Sequence, residues 1–457
     1  FELPYNAMIY VERERKSFRP SKEDFRKEKL KMEVKAEFQG STPLKGNIFI
    51  KDKDGLWFQS RNSFDLKSGE WKTVEVSLVS SMHDIVPVGH ASTWNCLNAS
   101  TLFSAGFNVF SRDKREVQLY CKNIQLTGNR ERKPFYIFNF DFPAKGKKYE
   151  IMEGRFSLSR EYFNPFDPDE IKVDIEINQS ESERRIIIPA FFTVDHGREL
   201  ALNSEIGLVA GEPCWAFRFT PESEGNYSFR ITAKDLSEEP HEEITSPYIK
   251  FEVENSTSPG FVRVSSIDPR YFEMSTGEFF FPIGYNLHSI KDLRSEDRLR
   301  LSYRPDKGTY SFDEYFREMA NNGINAVEIW MCSWSAALEW TSAQTGYYGL
   351  GRYNVFNAWK LDYILNEAYK NGIYIHLVLD NHGKLSSHSD QEWDDSPHNK
   401  KSSFATADGA MLEKPADFFE NENATKFNFA RNRYIAARWG SYTNIFGVEL
   451  WSEIDLV

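Results

Sequence analysis

Acids, imidazoles and indoles gather in this chain just after apolar runs. Ile445 to Trp451 leads to Ser452 and Glu453, and Ile373 to Leu379 leads to Asp380, Asn381 and His382. Asn325 to Met331 carries Trp330 and leads to Trp334, while Phe279 to Ile283 leads to Asn286 and His288. Flat rings, fixed hydrogen-bonding groups and a carboxyl, with no cysteine partner, suit a polar ligand with apolar faces and a reaction that moves a proton. Glu453, placed near indoles and partly desolvated, could hold its proton near neutral pH and serve as a general acid. Position alone fits a salt-bridged glutamate at a strand end equally well. By two-residue periodicity Glu449, Trp451 and Glu453 share one face, as do Ala326, Glu328 and Trp330, which makes Glu328 and Glu449 candidate orienting groups beneath the site. His288, His382 and Asp380 are also compatible with a divalent ion. Their spacing forms no compact motif, so no metal and no cofactor is expected.

The elements that must position these groups begin after Pro259-Gly260, where the rhythm of the chain changes. Phe279 to Ile283 reads as a strand buried on both faces. Ser311 with Glu314 reads as a reciprocal helix cap, Phe312, Tyr315, Phe316 and Met319 as one apolar stripe, and Gly323 as the helix end. Asn325 to Met331 is the second strand. A helix from Trp359 to Tyr369 follows and stops at Asn371-Gly372. Ile373 to Leu379 is the third strand. A long excursion to about Asn423 and a helix through Phe429, Tyr434 and Ala437 then feed the strand Ile445 to Trp451. Alternating strands and helices imply a parallel sheet, either a (β/α)8 barrel or an open doubly wound sheet. Gly284-Tyr285-Asn286 lacks the glycine pattern of a nucleotide site, which favours the barrel, with about its first half present.

Before this region the chain is a succession of short strands. Residues 1–134 read as a jelly roll or β-sandwich, in which Trp71, Trp94 and Phe103 could line a carbohydrate cleft or fill a core. Residues 135–258 have the size and turn spacing of an immunoglobulin-like β-sandwich. The predicted architecture is therefore multidomain: two β-sandwich modules followed by the half barrel of 259–457.

Composition narrows the partners. The 457 residues carry 56 basic and 68 acidic side chains, a formal charge of -12, which disfavours nucleic acid because phosphate binding needs a basic footprint. No run of about twenty apolar residues predicts a transmembrane helix. Residues 1–10 lack the form of a signal peptide, although one could have been removed. Cys96, Cys121, Cys214 and Cys332 have no metal-site spacing, though Cys96 and Cys121 could pair. Asn98, Asn226, Asn255 and Asn423 stand in glycosylation sequons. Trp334, Trp340, Tyr347 and Tyr348 could form a sugar-binding wall on the loop after the second strand, or pack that loop down.

Three segments carry a resemblance: Phe281-Pro282-Ile283-Gly284-Tyr285-Asn286, Gly323 through Trp330, and Glu449-Leu450-Trp451-Ser452-Glu453-Ile454-Asp455. From Pro259 onward the chain resembles the clan of retaining (β/α)8 glycoside hydrolases, the cellulase-like and β-galactosidase-like enzymes. Residues 135–258, with Tyr162 to Phe166 and Phe217 to Tyr227, resemble the β-sandwich module common before such barrels in bacterial multidomain glycosidases. The resemblance implies cleavage of O-glycosidic bonds in a poly- or oligosaccharide by double displacement. Glu453 would be the acid/base, and the nucleophile would be a glutamate at the end of a seventh strand, beyond residue 457. Asn286, His288, Trp330, Trp334, Asp380, His382 and Ser452 would bind substrate, in a secreted, periplasmic or cell-surface protein. Ser452 stands where the family usually has asparagine, and Glu328 where it often has arginine. A non-catalytic carbohydrate-binding protein on the same scaffold is the alternative.

Overall fold

Strict alternation builds the N-terminal part. In Lys29–Phe38 every second residue from Leu30 to Ala36 is buried, the period of a strand with one covered face. The computed structural model describes residues 2–3, 8–14, 21–89, 93–111, 115–180, 184–202, 204–289, 307–401 and 412–456. These form two compact units: residues 1–134 with 160–164, and residues 135–159 with 165–457.

The first unit is built from two antiparallel sheets. One has the order Glu2–Leu3, Arg115–Thr127, Lys29–Phe38, Lys72–Ser77. The other runs Met8–Glu14, Leu102–Phe110, Leu44–Asp52, Trp57–Ser60, Ile85–Val88, with Phe64–Leu66 on the flank of Leu44–Asp52. Met32, Val34, Ile48, Ile50, Phe58, Phe107 and Val109 are buried and make the core. Trp94 belongs to it, its indole N–H donating to the Leu78 carbonyl at 2.9 Å, so it lines no cleft. Trp71 is exposed but lies under Lys122, 4.0 Å from the ring centre. Cys96 and Cys121 are free thiols, the latter beside the Met32 sulfur. The Asn98 amide is buried against Asp52 at 3.0 Å, which leaves that sequon no room for a glycan.

The second unit starts with another pair of sheets. Ile137–Asp141, Met152–Leu158, Cys214–Phe219 and Phe191–Thr193 form one. Lys145–Lys147, Ile249–Glu254, Gly225–Asp235, Ile171–Gln179 and Arg185–Pro189 form the other, with Glu242–Thr245 added. Phe142, Phe217, Phe229 and Phe251 interlock between them, with ring centres 4.7 to 6.0 Å apart in the contacts of Phe142 and Phe229 with the others.

The same unit then carries a parallel sheet of consecutive order, whose elements are β1 (Gly284–His288), α1 (Thr309–Asn321), β2 (Ala326–Trp330), α2 (Val355–Lys370), β3 (Tyr374–Val378), α3 (Glu422–Trp439) and β4 (Ile445–Glu449). Ile329, Ile375 and Leu377 are buried on one face, opposite Glu328 and His376, which are partly open. No helix among the described residues is long and apolar enough to cross a membrane.

Several local readings change. Phe279–Phe280 pairs antiparallel with Phe272–Met274 instead of opening the parallel sheet, and Phe279, Phe281 and Ile283 are exposed rather than buried on both faces. The parallel strand begins at Gly284, where a Cβ would stand 1.9 Å from the Ala326 carbonyl oxygen, an approach only glycine permits. Asn325 fixes this start by accepting from the Ile283 N–H at 2.7 Å and donating to the Phe281 carbonyl at 3.0 Å. Ser311 is not the cap of α1. The helix starts at Thr309 because Glu205, from the hairpin His196–Ala201/Ser204–Val209, accepts the Thr309 N–H at 3.0 Å, while Ser311 Oγ accepts from Lys307 N–H. β4 ends at Glu449, and Trp451 turns away to pack on Phe418 and Phe419.

Candidate active site

The ends of β3 and β4 are tied together by the backbone. Ser452 N–H donates to the Asp380 carbonyl at 2.9 Å, and Asn381 and Ser452 form an isolated parallel bridge. Ser452 is buried, and the chain turns at Glu453, whose φ of 55° lies in the left-handed region.

Asp380 owes its place to a buried ion cluster. Arg431 of α3 grips its carboxylate through two nitrogens, one at 2.7 Å, and Lys384 donates at 2.8 Å. Burial alone would raise the Asp380 pKa, but the two cations outweigh it and hold it at about 2. Burial and the nearby Arg431 in turn lower the Lys384 pKa. With its side chain 5 % exposed and fully engaged, Asp380 is the anchor of the site loop.

His382 follows two residues later and is buried. Its Nδ1 lies 3.0 Å from Glu453 Oε2 and its Nε2 3.3 Å from Asp390 Oδ2, so one imidazole stands between two carboxylates. The Glu453 side chain is 49 % exposed. Its neighbour is an imidazole, not the indoles the sequence places nearby. Glu392 joins from the same loop: Ser333 Oγ donates to one carboxylate oxygen, and Asn381 Nδ2 lies 3.4 Å from the other. Burial raises the Glu392 pKa against the opposing effect of these donors.

Trp330, expected to bind substrate, is buried. Its ring stacks on His288 with centres 4.0 Å apart and meets His382 edge-on at 6.3 Å. Its indole N–H donates to Glu328 Oε1 at 2.6 Å. His288, at φ 55°, also places Nε2 at 3.5 Å from that oxygen. Asn286 is exposed on β1. Trp334 is partly exposed and donates its indole N–H to Ser289 Oγ at 2.9 Å. Trp340 and Tyr347 are buried with Ala337, so that loop packs its own aromatics down.

The strand ends thus bring together His288, Trp330, His382 and Glu453, while Asp380 and Ser452 hold the backbone beneath them. Sequence reasoning missed Asp390, Glu392, Lys384 and Arg431. The run Asp390-Gln391-Glu392 in the loop after β3 was the available signal, since acids that follow a strand outlet are placed to face the site.

Residues 145–234 match the family described as Domain of unknown function (DUF5060). No curated protein matches the chain. The structural neighbours include glycoside hydrolases at low identity. A candidate glycoside hydrolase from Bacteroides vulgatus is 14% identical with TM-score 0.40, covering 69% of this chain and 51% of that one. A beta-1,2-glucanase from Parabacteroides distasonis is 15% identical with TM-score 0.19, covering 54% and 31%. A beta-mannanase from the blue mussel Mytilus edulis is 13% identical with TM-score 0.25, covering 43% and 46%. The chain spans about half, or less, of the length of each of these proteins, and at these scores the overlaps fix neither fold nor activity.

Proposed function

We propose that the chain carries the acid/base half of a retaining glycoside hydrolase acting on a poly- or oligosaccharide. The observation that supports this best is the Glu453 carboxylate, presented to solvent by a turn at the β4 outlet with an imidazole 3.0 Å away. A general acid must both reach a leaving-group oxygen and exchange its proton, and a half-open carboxylate beside His382 can do both. Asn286 and Trp334 are open enough to meet a sugar ring; His288, His382 and Trp330 form the floor beneath it, with Asp380 and Ser452 fixing their backbone.

The consecutive strand order β1-β2-β3-β4 has no reversal at which an open doubly wound sheet would bind its ligand. It suits the first four strands of a (β/α)8 barrel, in which 259–457 would be the N-terminal half and 135–258 the module before it. Double displacement then needs a nucleophile glutamate from a later strand, outside residues 1–457. Ser452 and Asn381 are both buried, so a sugar 2-hydroxyl would be held by other groups, such as the exposed Asn286.

Hydrolysis of a panel of aryl and natural glycosides by the intact protein, before and after Glu453→Gln, tests the reading. The expected loss is about 100- to 10,000-fold. Turnover that survives the substitution would sink the acid/base assignment. Glycan binding without turnover in the unsubstituted protein would favour the non-catalytic alternative.

A further inference from the structure

We propose that Glu328, His376 and Glu449 form a binding site for one divalent ion of the zinc class, on one face of the parallel sheet. The three residues come from β2, β3 and β4, and each offers a ligand atom within 4.8 Å of the others. The strand pairing explains why they meet. Glu328 and His376 are register partners, and Glu449 stands beside Val378, one pleat further on the same face.

Distance separates this group from an ordinary hydrogen-bonded cluster. His376 Nδ1 lies 3.5 Å from Glu328 Oε2, and His376 Nε2 lies 3.6 Å from Glu449 Oε2. Both exceed the usual N–H···O range of about 2.7–3.2 Å. A single ion takes one ring nitrogen, so one carboxylate keeps its present gap and the other must swing toward that same nitrogen, from the 4.8 Å that spans one ligand atom of each residue to the about 3.4 Å between donors of a tetrahedral ion. One nitrogen of His376 would ligate, and solvent would complete the set.

Charge points the same way. Glu328 has a side chain only 11% exposed, and among the described residues no lysine or arginine pairs with it or with Glu449. Every buried aspartate nearby is neutralised by guanidinium or ammonium groups, as Asp380 is by Arg431 and Lys384. Among the described residues these two carboxylates face only imidazoles and an indole, and a divalent cation would add positive charge between them. The other oxygen of Glu328 is already fixed by the Trp330 indole at 2.6 Å. Outer donors hold metal-ligating carboxylates in this way.

The proposal does not depend on the role of Glu453. Intact protein stripped of metal and titrated with Co2+ should develop d–d absorption at one equivalent, which added Zn2+ abolishes. His376→Ala and Glu449→Gln should each weaken binding by at least about 100-fold, the upper end of what loss of an outer-shell partner costs. Glu453→Gln should leave the titration unchanged, which separates this site from the strand-end acid. Unchanged circular dichroism in Glu449→Gln shows that its loss of binding is not a loss of fold. Absence of a Co2+ signal at millimolar ion, or equal affinity in the unsubstituted protein and both ligand variants, would overturn the site.

Discussion

Two sets of carboxylates in the second unit differ in what faces them. Asp362 and Asp380 are paired with guanidinium or ammonium groups at every oxygen. Asp362 receives Arg218 from the sandwich, Arg438 and Trp439 from α3, at 2.7 to 3.1 Å, and so joins α2 to both. These cations hold its pKa below the ordinary carboxylate range despite burial. Glu328, Glu449 and Glu453 are faced by imidazoles and, for Glu328, by an indole. An acid locked among permanent cations stays charged and holds elements together. The acids set against imidazoles are the ones proposed above for proton transfer and for an ion.

Breaking the first group should have the largest effect on stability. Asp362→Ala leaves the buried Arg438 without its acid and Arg218 with Glu153 alone, and should destabilise the second unit by about 3–5 kcal/mol in urea unfolding. Acid should loosen the same group. Asp380 has a folded pKa of about 2 against an ordinary 3.8, a depressed value, so its contribution is present above 3.8 and lost as pH falls through about 2. That contribution is on the order of 2 kcal/mol. Asp380→Asn should flatten the fall in stability across this pH window.

In the second group the effects should fall on function. His382→Ala removes the imidazole 3.0 Å from Glu453 and should lower kcat/KM by about tenfold, or about 1.4 kcal/mol. An unchanged kcat/KM would reduce His382 to packing. The smallest change is expected for Glu449→Gln in metal-free protein, which should alter unfolding by no more than about 0.5 kcal/mol, because the residue is half-buried and no lysine or arginine among the described residues pairs with it.

What the sequence makes legible follows from how local each signal is. The ends of both helices at Gly323 and Gly372 are encoded by neighbouring residues, and both glycines take positive φ; the sequence pattern starts α2 too late, at Trp359, because its cap is Asn354 and the helix begins at Val355. The place of Glu453 after the fourth strand is equally local. The start of α1 is not, because its cap is Glu205, about a hundred residues away. Phe279 to Ile283 has the composition of a buried strand, yet the closest approach in the sheet selects Gly284 as the first parallel position. Asp380 reads as a ligand-binding acid because its position is right, while the residue that claims it, Arg431, lies 51 positions on. Glu328, His376 and Glu449 share no motif spacing, and only the register of three strands brings them together.

Chemical rescue of Glu453→Ala in the intact protein tests the central claim most directly. With an activated aryl glycoside and added azide, turnover should recover and a glycosyl azide of retained anomeric configuration should form, because azide needs no general base to attack the glycosyl-enzyme. Azide that neither restores the rate nor appears in the product would contradict an acid/base role for Glu453.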